Sequence, residues 1–345
     1  MMDKEFDCTF VFGDEDLKIK KMELCELRNA KETHVSFINR AAFQWGILPY
    51  AFKRYDDYIL TGSTNNITHW IFLALLKLMP KKKVFIWTHG LYGYENKRQM
   101  FFRRLFYSLV DEFLVYGEFA RENMIKAGIS SPEKLHVIHN SLDYDEQIEI
   151  RRNIVPSRIY KDYFNNDNPT IIFIGRLTKV KKLDLILEAL SLLKDQGIFY
   201  NMVFVGDGTE LEHLKENSRN YGLVNQVWFY GACYNEVENA NLIYNADVCV
   251  SPGNVGLTAL HAMMFGTPVI THDNFSRQMP EFQTIIEGRT GCFFKEDNVI
   301  SLSDTIYAWL ENKAKNRDLI RKNCFETIDT AWNPYYQMDL LKRVL

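Results

Sequence analysis

Apolar runs at Thr170 to Ile174, Asn201 to Val205 and Val227 to Tyr230 alternate with stretches of helical period at Leu183 to Lys194, Glu210 to Asn220 and Glu236 to Asn245. Strands and helices alternating at this spacing predict a parallel, doubly wound sheet. The stretch from Ala246 to Ile270 continues the pattern. It reads as a short apolar strand, a Pro-Gly-Asn turn, a helix from about Val255 to Phe265, and a Gly-Thr-Pro turn into another strand. Helices over Leu302 to Arg317 and Leu319 to Thr330 follow. Trp332-Asn333-Pro334 then interrupts before a last segment, Tyr335 to Leu345. A break at Pro334 suits a chain that leaves one domain and packs back on another.

The first half is less regular. Cys8 to Phe12 and Val35 to Ile38 read as strands. Tyr58 to Thr61 is a strand running into the polar turn Gly62 to Asn66, and Thr68 to Leu78 a helix. Val84 to Thr88 reads as a buried strand that ends in His89-Gly90, which puts an imidazole at a carboxyl edge. A helix from about Glu95 to Val110 interleaves Lys97, Arg98, Arg103 and Arg104 with Phe101, Phe102, Phe106 and Tyr107. Phe113 to Tyr116 and Leu135 to Ile138 are further strands, the second ending in His139-Asn140-Ser141. Residues from about Tyr144 to Pro169 carry charges, asparagines and two prolines with little periodicity, and read as a linker. The expected division is therefore a first domain over 1–155, a second over 156–330, and a segment over 331–345 that packs back on the first.

With 345 residues the chain exceeds one ordinary α/β core and fits two domains. A hydrophobic fraction of 47% and a charged fraction of 25% are those of a soluble globular protein, and a net charge of −3 argues against a general nucleic-acid binder. The six cysteines are scattered without a Cys-x-x-Cys pair, so neither a disulfide framework nor a structural metal is indicated. A reducing cytoplasm is the expected location. The acidic amino terminus lacks the apolar core of a signal peptide, and the longest apolar run, Trp70 to Met79, is broken by Lys77 and too short to span a bilayer. From Lys53 to Arg104 there are ten basic residues against three acidic ones. With the aromatics of the 95–110 helix, this segregation suits contact with an anionic membrane surface through the stretch from Lys81 to Tyr107.

The candidate chemistry lies at the strand ends. Asn254 is a natural helix N-cap, and amides of Val255, Gly256 and Leu257 would then face an anion, with the helix dipole favouring negative charge there. Gly175-Arg176-Leu177 with Lys181, Gly206-Asp207-Gly208 with Glu210, and Gly231 place glycines and cations after successive apolar runs, where an open parallel sheet binds ligands. A phosphate group fits. The acidic triplets Asp14-Glu15-Asp16 and Asp143-Tyr144-Asp145 have an Asp-x-Asp form but read as solvated turns, so no metal site is expected.

Over roughly Tyr55 to Thr330 these motifs resemble the family-4 retaining glycosyltransferases of GT-B fold, which have two Rossmann-like domains facing across a cleft. The most specific parts are Gly175-Arg176-Leu177 with Lys181, Gly206-Asp207-Gly208 with Glu210, Asp247 through Ser251, Gly256-Leu257, and Gly266 through Ile270. The resemblance implies that Arg176 and Lys181 hold a donor diphosphate, with helix amides after Asn254 on the phosphate nearer the sugar. It places His89 beside the donor sugar and leaving phosphate, and the backbone of Gly231 and Cys233 at the base. It implies a first domain on the acceptor side, transfer from a nucleotide-diphosphate sugar to a glycan or lipid-linked glycan, and neither metal nor cofactor. The chain departs from the family where two glutamates eight apart fall on Gly253 and His261. An imidazole donates one hydrogen bond and accepts one, so His261 can serve as a ribose contact; the alternative is a helix residue packed under the loop. A sugar-nucleotide epimerase and a non-catalytic nucleotide-sugar-binding protein are the alternatives.

Overall fold

The computed structural model describes residues 1–14, 24–79, 81–312 and 316–345. They form two compact units: Met1–Ile138 with Tyr335–Leu345, and His139–Pro334. Glu15 and Asp16 of the first acidic triplet lie outside the described residues.

In the first unit β1 (Phe10–Gly13) pairs in parallel with β2 (Ala30–Thr33), and β3 (Val35–Ile38) forms a hairpin with β4 (Ala41–Gln44). A parallel sheet carries β5 (Asp57–Thr61), β6 (Lys83–Thr88), β7 (Glu112–Val115) and β8 (Leu135–Val137) side by side in chain order. The helices are α1 (Met2–Glu5), α2 (Ile67–Lys77), α3 (Lys97–Tyr107) and α4 (Glu118–Lys126). Asn66 caps α2, and Asn96 with Gln99 forms a capping box on α3, which fixes where each helix begins. One core contains Phe72, Leu73, Ile86, Phe106 and Phe113. A second core joins Phe85, Leu114 and Ile138 to Met338, Leu340 and Leu341 of the carboxy-terminal helix Pro334–Val344.

The second unit contains α5 (Tyr144–Asn153), α6 (Ile159–Phe164), β9 (Thr170–Ile174), α7 (Asp184–Asp195), β10 (Asn201–Val205), α8 (Leu211–Asn220), β11 (Val227–Gly231), α9 (Glu236–Asn245), β12 (Val248–Val250), α10 (Leu257–Met264), β13 (Val269–His272), β14 (Gly291–Phe294), α11 (Val299–Asn312) and α12 (Arg317–Ala331). Its six strands are all parallel, in the order β11-β10-β9-β12-β13-β14. The chain moves outward from β9 in one direction and then from β12 in the other, so the sheet reverses direction between these two strands. In such sheets that reversal opens a crevice at the strands' carboxyl ends. Every residue of β9, β10, β12 and β13 is buried, which explains why their sequences read as apolar runs without alternation.

The structure corrects the expected linker and boundary. Residues 144–164 contain α5 and α6, and the units divide after Ile138. The helix α5 is joined to the second unit through side chains: Gln147 donates to Glu236 at 2.7 Å, and Arg151 pairs with Asp329 at 2.7 Å. A polar helix of this kind has little apolar periodicity to read in sequence. Asp143 and Asp145 lie at its amino end, where the helix dipole favours carboxylates.

Candidate functional site

The loops after β9 and β12, neighbours across the reversal point, carry the candidate cation and helix-end groups. Glycine lets the chain ends after β9, β10 and β11 meet by backbone alone. A Cβ on Gly206 would lie 1.9 Å from the Gly175 carbonyl oxygen, and hydrogen bonds continue beyond the strands from the Gly175 amide to the Val205 carbonyl (2.9 Å) and from the Gly206 amide to the Gly231 carbonyl (2.8 Å). Arg176, just past this join, is exposed, and none of the described carboxylates pairs with it. Lys181 follows on a short 3-10 turn, Lys179–Lys181.

Asn254 plays a different part from the expected one. The helix α10 begins at Leu257 with Gly256 as its N-cap, at φ 53°, and Asn254 instead fixes Lys181. Lys181 Nζ donates to the Asn254 carbonyl at 2.6 Å and to its Oδ1 at 3.0 Å. The Val255 amide is also occupied, donating to Gln278 Oε1 at 2.8 Å, which leaves Gly256 and Leu257 at the helix opening. Opening amides of a helix have no acceptor within it. A Cβ built on Gly256 would lie 3.9 Å from Lys181 Nζ, so the ammonium group sits beside this opening. An ammonium has three protons and the two Asn254 contacts use two, so one remains for an anion.

Burial pushes the Lys181 pKa down to about 8; the negative charge of Glu281 opposes this and the positive charge of nearby Arg176 adds to it. Glu281 is itself 2% exposed and takes a hydrogen bond from Asn140 Nδ2 at 2.9 Å. Gln278, also buried, joins the helix opening to β13 by donating to Thr271 Oγ1 and the His272 carbonyl. Neither residue carried a sequence signal, because both lie on irregular turns after β13.

Gly253 packs backbone against backbone and leaves no room for a side chain. Its amide donates to the Lys181 carbonyl at 2.9 Å, and a Cβ would lie 2.0 Å from the Val180 carbonyl oxygen. His261 lies on α10 with Nε2 2.8 Å from Glu236 Oε1, so this imidazole nitrogen is already engaged. Cys233 is half-buried, with Sγ 3.4 Å from Glu238 Oε2, and burial raises its thiol pKa. Asp247, one of the residues that carry the resemblance, belongs to the scaffold: it accepts from the Thr170 amide at 2.7 Å and pairs with Arg317. His89 lies in the first unit, just after β6, its ring centroid 4.8 Å from that of Tyr116.

Residues 159–324 match the model of the family described as "Glycosyl transferases group 1". Among curated proteins, the chain is 22% identical over 241 residues to a putative glycosyltransferase, EpsF, of Bacillus subtilis, covering 66% of this chain and 56% of that protein. It is 25% identical over 284 residues to the alpha-1,3/1,6-mannosyltransferase ALG2 of Dictyostelium discoideum, covering 71% and 64%. The matched segments thus span less than two thirds of these relatives. Among solved structures, HepE of Anabaena in complex with UDP superposes with a TM-score of 0.67 at 16% identity, covering 92% of this chain and 86% of that one. At that identity the likeness shows the fold, which is that of the GT-B glycosyltransferases.

Proposed function

We propose that this protein transfers a sugar from a nucleotide-diphosphate sugar to a glycan or lipid-linked glycan, with retention at the anomeric carbon and without a metal ion. One observation carries the reading: Lys181, with a proton to spare, lies beside the opening of α10 at the sheet reversal, and Arg176 follows the adjacent strand. The family match and the likeness to a UDP-bound protein support it. Negative charge grows on the departing diphosphate as the glycosidic bond breaks. Fixed cations and helix amides aimed at that charge stabilise the transition state more than the bound donor. Arg176 and Lys181 are assigned that role, with the Gly256 and Leu257 amides on the phosphate nearer the sugar.

The same reading places the enzyme in the cytoplasm at an anionic membrane surface. No helix among the described residues is long and apolar enough to cross a membrane. Half of the α3 aromatics are core residues, since Phe106 and Tyr107 are buried, and Arg103 and Arg104 donate to the Gly90 and Ala127 carbonyls. Phe101, Phe102 and Leu105 remain exposed on the same helix as Lys97 and Arg98. That is the composition of a helix lying on anionic lipid.

The test begins with a thermal-shift screen of nucleotide sugars. The stabilising donor is then incubated with and without glycan and lipid-linked acceptors, and the product's anomeric configuration is read by NMR. Transfer with retention is expected. Conversion of the donor without acceptor points instead to an epimerase, and binding without turnover to a non-catalytic protein.

A further inference from the structure

The helix α10 carries no carboxylate, yet one stands beside it. Glu236 opens α9, immediately after the loop that leaves β11 at its carboxyl end, in a first turn that favours negative charge. Its Oε1 is saturated, accepting from Gln147 Nε2 at 2.7 Å and bonded to His261 Nε2 at 2.8 Å. Its Oε2 has only a long contact, 3.5 Å from Asn239 Nδ2. The side chain is 20% exposed, so a ligand can reach it. Three elements, α5, α9 and α10, thus hold one carboxylate in a fixed orientation with an acceptor oxygen to spare. Burial disfavours its charge, but the contacts from His261, Gln147 and Asn239 outweigh this and hold its pKa below the ordinary value.

A charged carboxylate accepts hydrogen bonds and donates none, so it suits hydroxyl groups and repels phosphate. At the carboxyl edge of a parallel sheet, the group that binds it is the sugar hydroxyl of a nucleotide whose phosphates lie at a helix opening nearby. We propose that Glu236, held in place by His261 and Gln147, is the acceptor for the ribose hydroxyls of the donor. The carboxylate is supplied by α9 where α10 lacks one, and His261 is a positioning residue. This rests on the nucleotide-sugar reading above.

The experiment is calorimetric titration of the full chain with UDP, GDP and ADP, followed by the 2′-deoxy and 3′-deoxy forms of the one that binds. The wild type is expected to prefer the ribonucleotide over at least one deoxy form by about tenfold or more, the effect of one hydrogen bond to a charged acceptor. In Glu236→Gln the preference is expected to shrink to within about twofold, with binding of that deoxy form unchanged. His261→Ala is expected to reduce the preference in the same direction. A wild type that binds ribo and deoxy forms equally overturns the assignment whatever the variants do. So does a Glu236→Gln protein that weakens both forms alike, since that is the mark of a merely structural tether. If none of the three diphosphates binds the wild type, the nucleotide-sugar reading itself fails, and this assignment with it.

Discussion

Burial works against the charge on Lys181, and the conflict is measurable. The ammonium keeps its proton only below about pH 8 in the empty protein, so affinity for a diphosphate is expected to fall as pH rises through that value. Calorimetry across pH 8 checks this; a midpoint near the ordinary lysine value would show that the site is wetter than the burial implies. The stability consequence has the opposite sign. Between about pH 8 and the ordinary value of 10.5, the unfolded chain holds a proton at Lys181 that the fold has released, so this residue's contribution to stability rises with pH. Replacing Arg176 or Lys181 by alanine is expected to slow turnover by roughly a hundredfold, since one stabiliser of a departing anion is worth on the order of 3 kcal/mol. Far-ultraviolet circular dichroism should stay unchanged in the Arg176 variant because that side chain is exposed. Both cations and the strand-end glycines were legible in sequence because charges after apolar runs have few places to go. Glu236, Glu281 and Gln278 were not, since each matters through residues far away along the chain.

At the scale of elements, the decisive contact is the turn Lys179–Lys181 against the loop after β12. Introducing glutamate at Gly253 is expected to weaken the protein. Its Cβ would lie 2.0 Å from the Val180 carbonyl oxygen and 2.7 Å from the Lys181 Cα, and both are backbone atoms that cannot rotate aside. Gly253→Glu should therefore lower stability by about 2 kcal/mol or more, and loosen diphosphate binding by displacing Lys181. Thermal unfolding and nucleotide titration read the two effects separately; a variant of wild-type stability would mean that the turn yields freely. At the helix opening the cap is not the residue that local chemistry favours. Asn254 has the right residue type for a cap, but Lys181 takes its side chain and its carbonyl, and Gly256 starts the helix with a positive φ that favours glycine. Capping chemistry in sequence assumes that the side chain has no stronger partner.

At the scale of the whole molecule, charge segregation is the feature with an external consequence. Flotation with anionic and neutral liposomes is expected to recover the protein on anionic vesicles at low salt and release it at high salt, each basic residue near the surface adding about 1 kcal/mol. Serine at Phe101 and Phe102 should reduce recovery without unfolding the first unit, since both side chains are exposed. Recovery independent of salt and of both substitutions would leave α3 without a membrane role. A chelator is expected to leave the transfer rate unchanged, with the protein's own cations neutralising the diphosphate. The sequence alone determined the alternation of strands and helices in the second unit, because each buried strand must be apolar along its whole length and each covering helix along one face. It also determined that glycines and cations cluster at strand ends. Only the tertiary structure decided the strand order, and with it that the loops after β9 and β12 are neighbours. Only the structure showed that Lys181 takes Asn254 from the helix end and that Glu236 stands beside His261. Those pairings join residues far apart in the chain, and local propensity says nothing about which distant side chains will share a hydrogen bond.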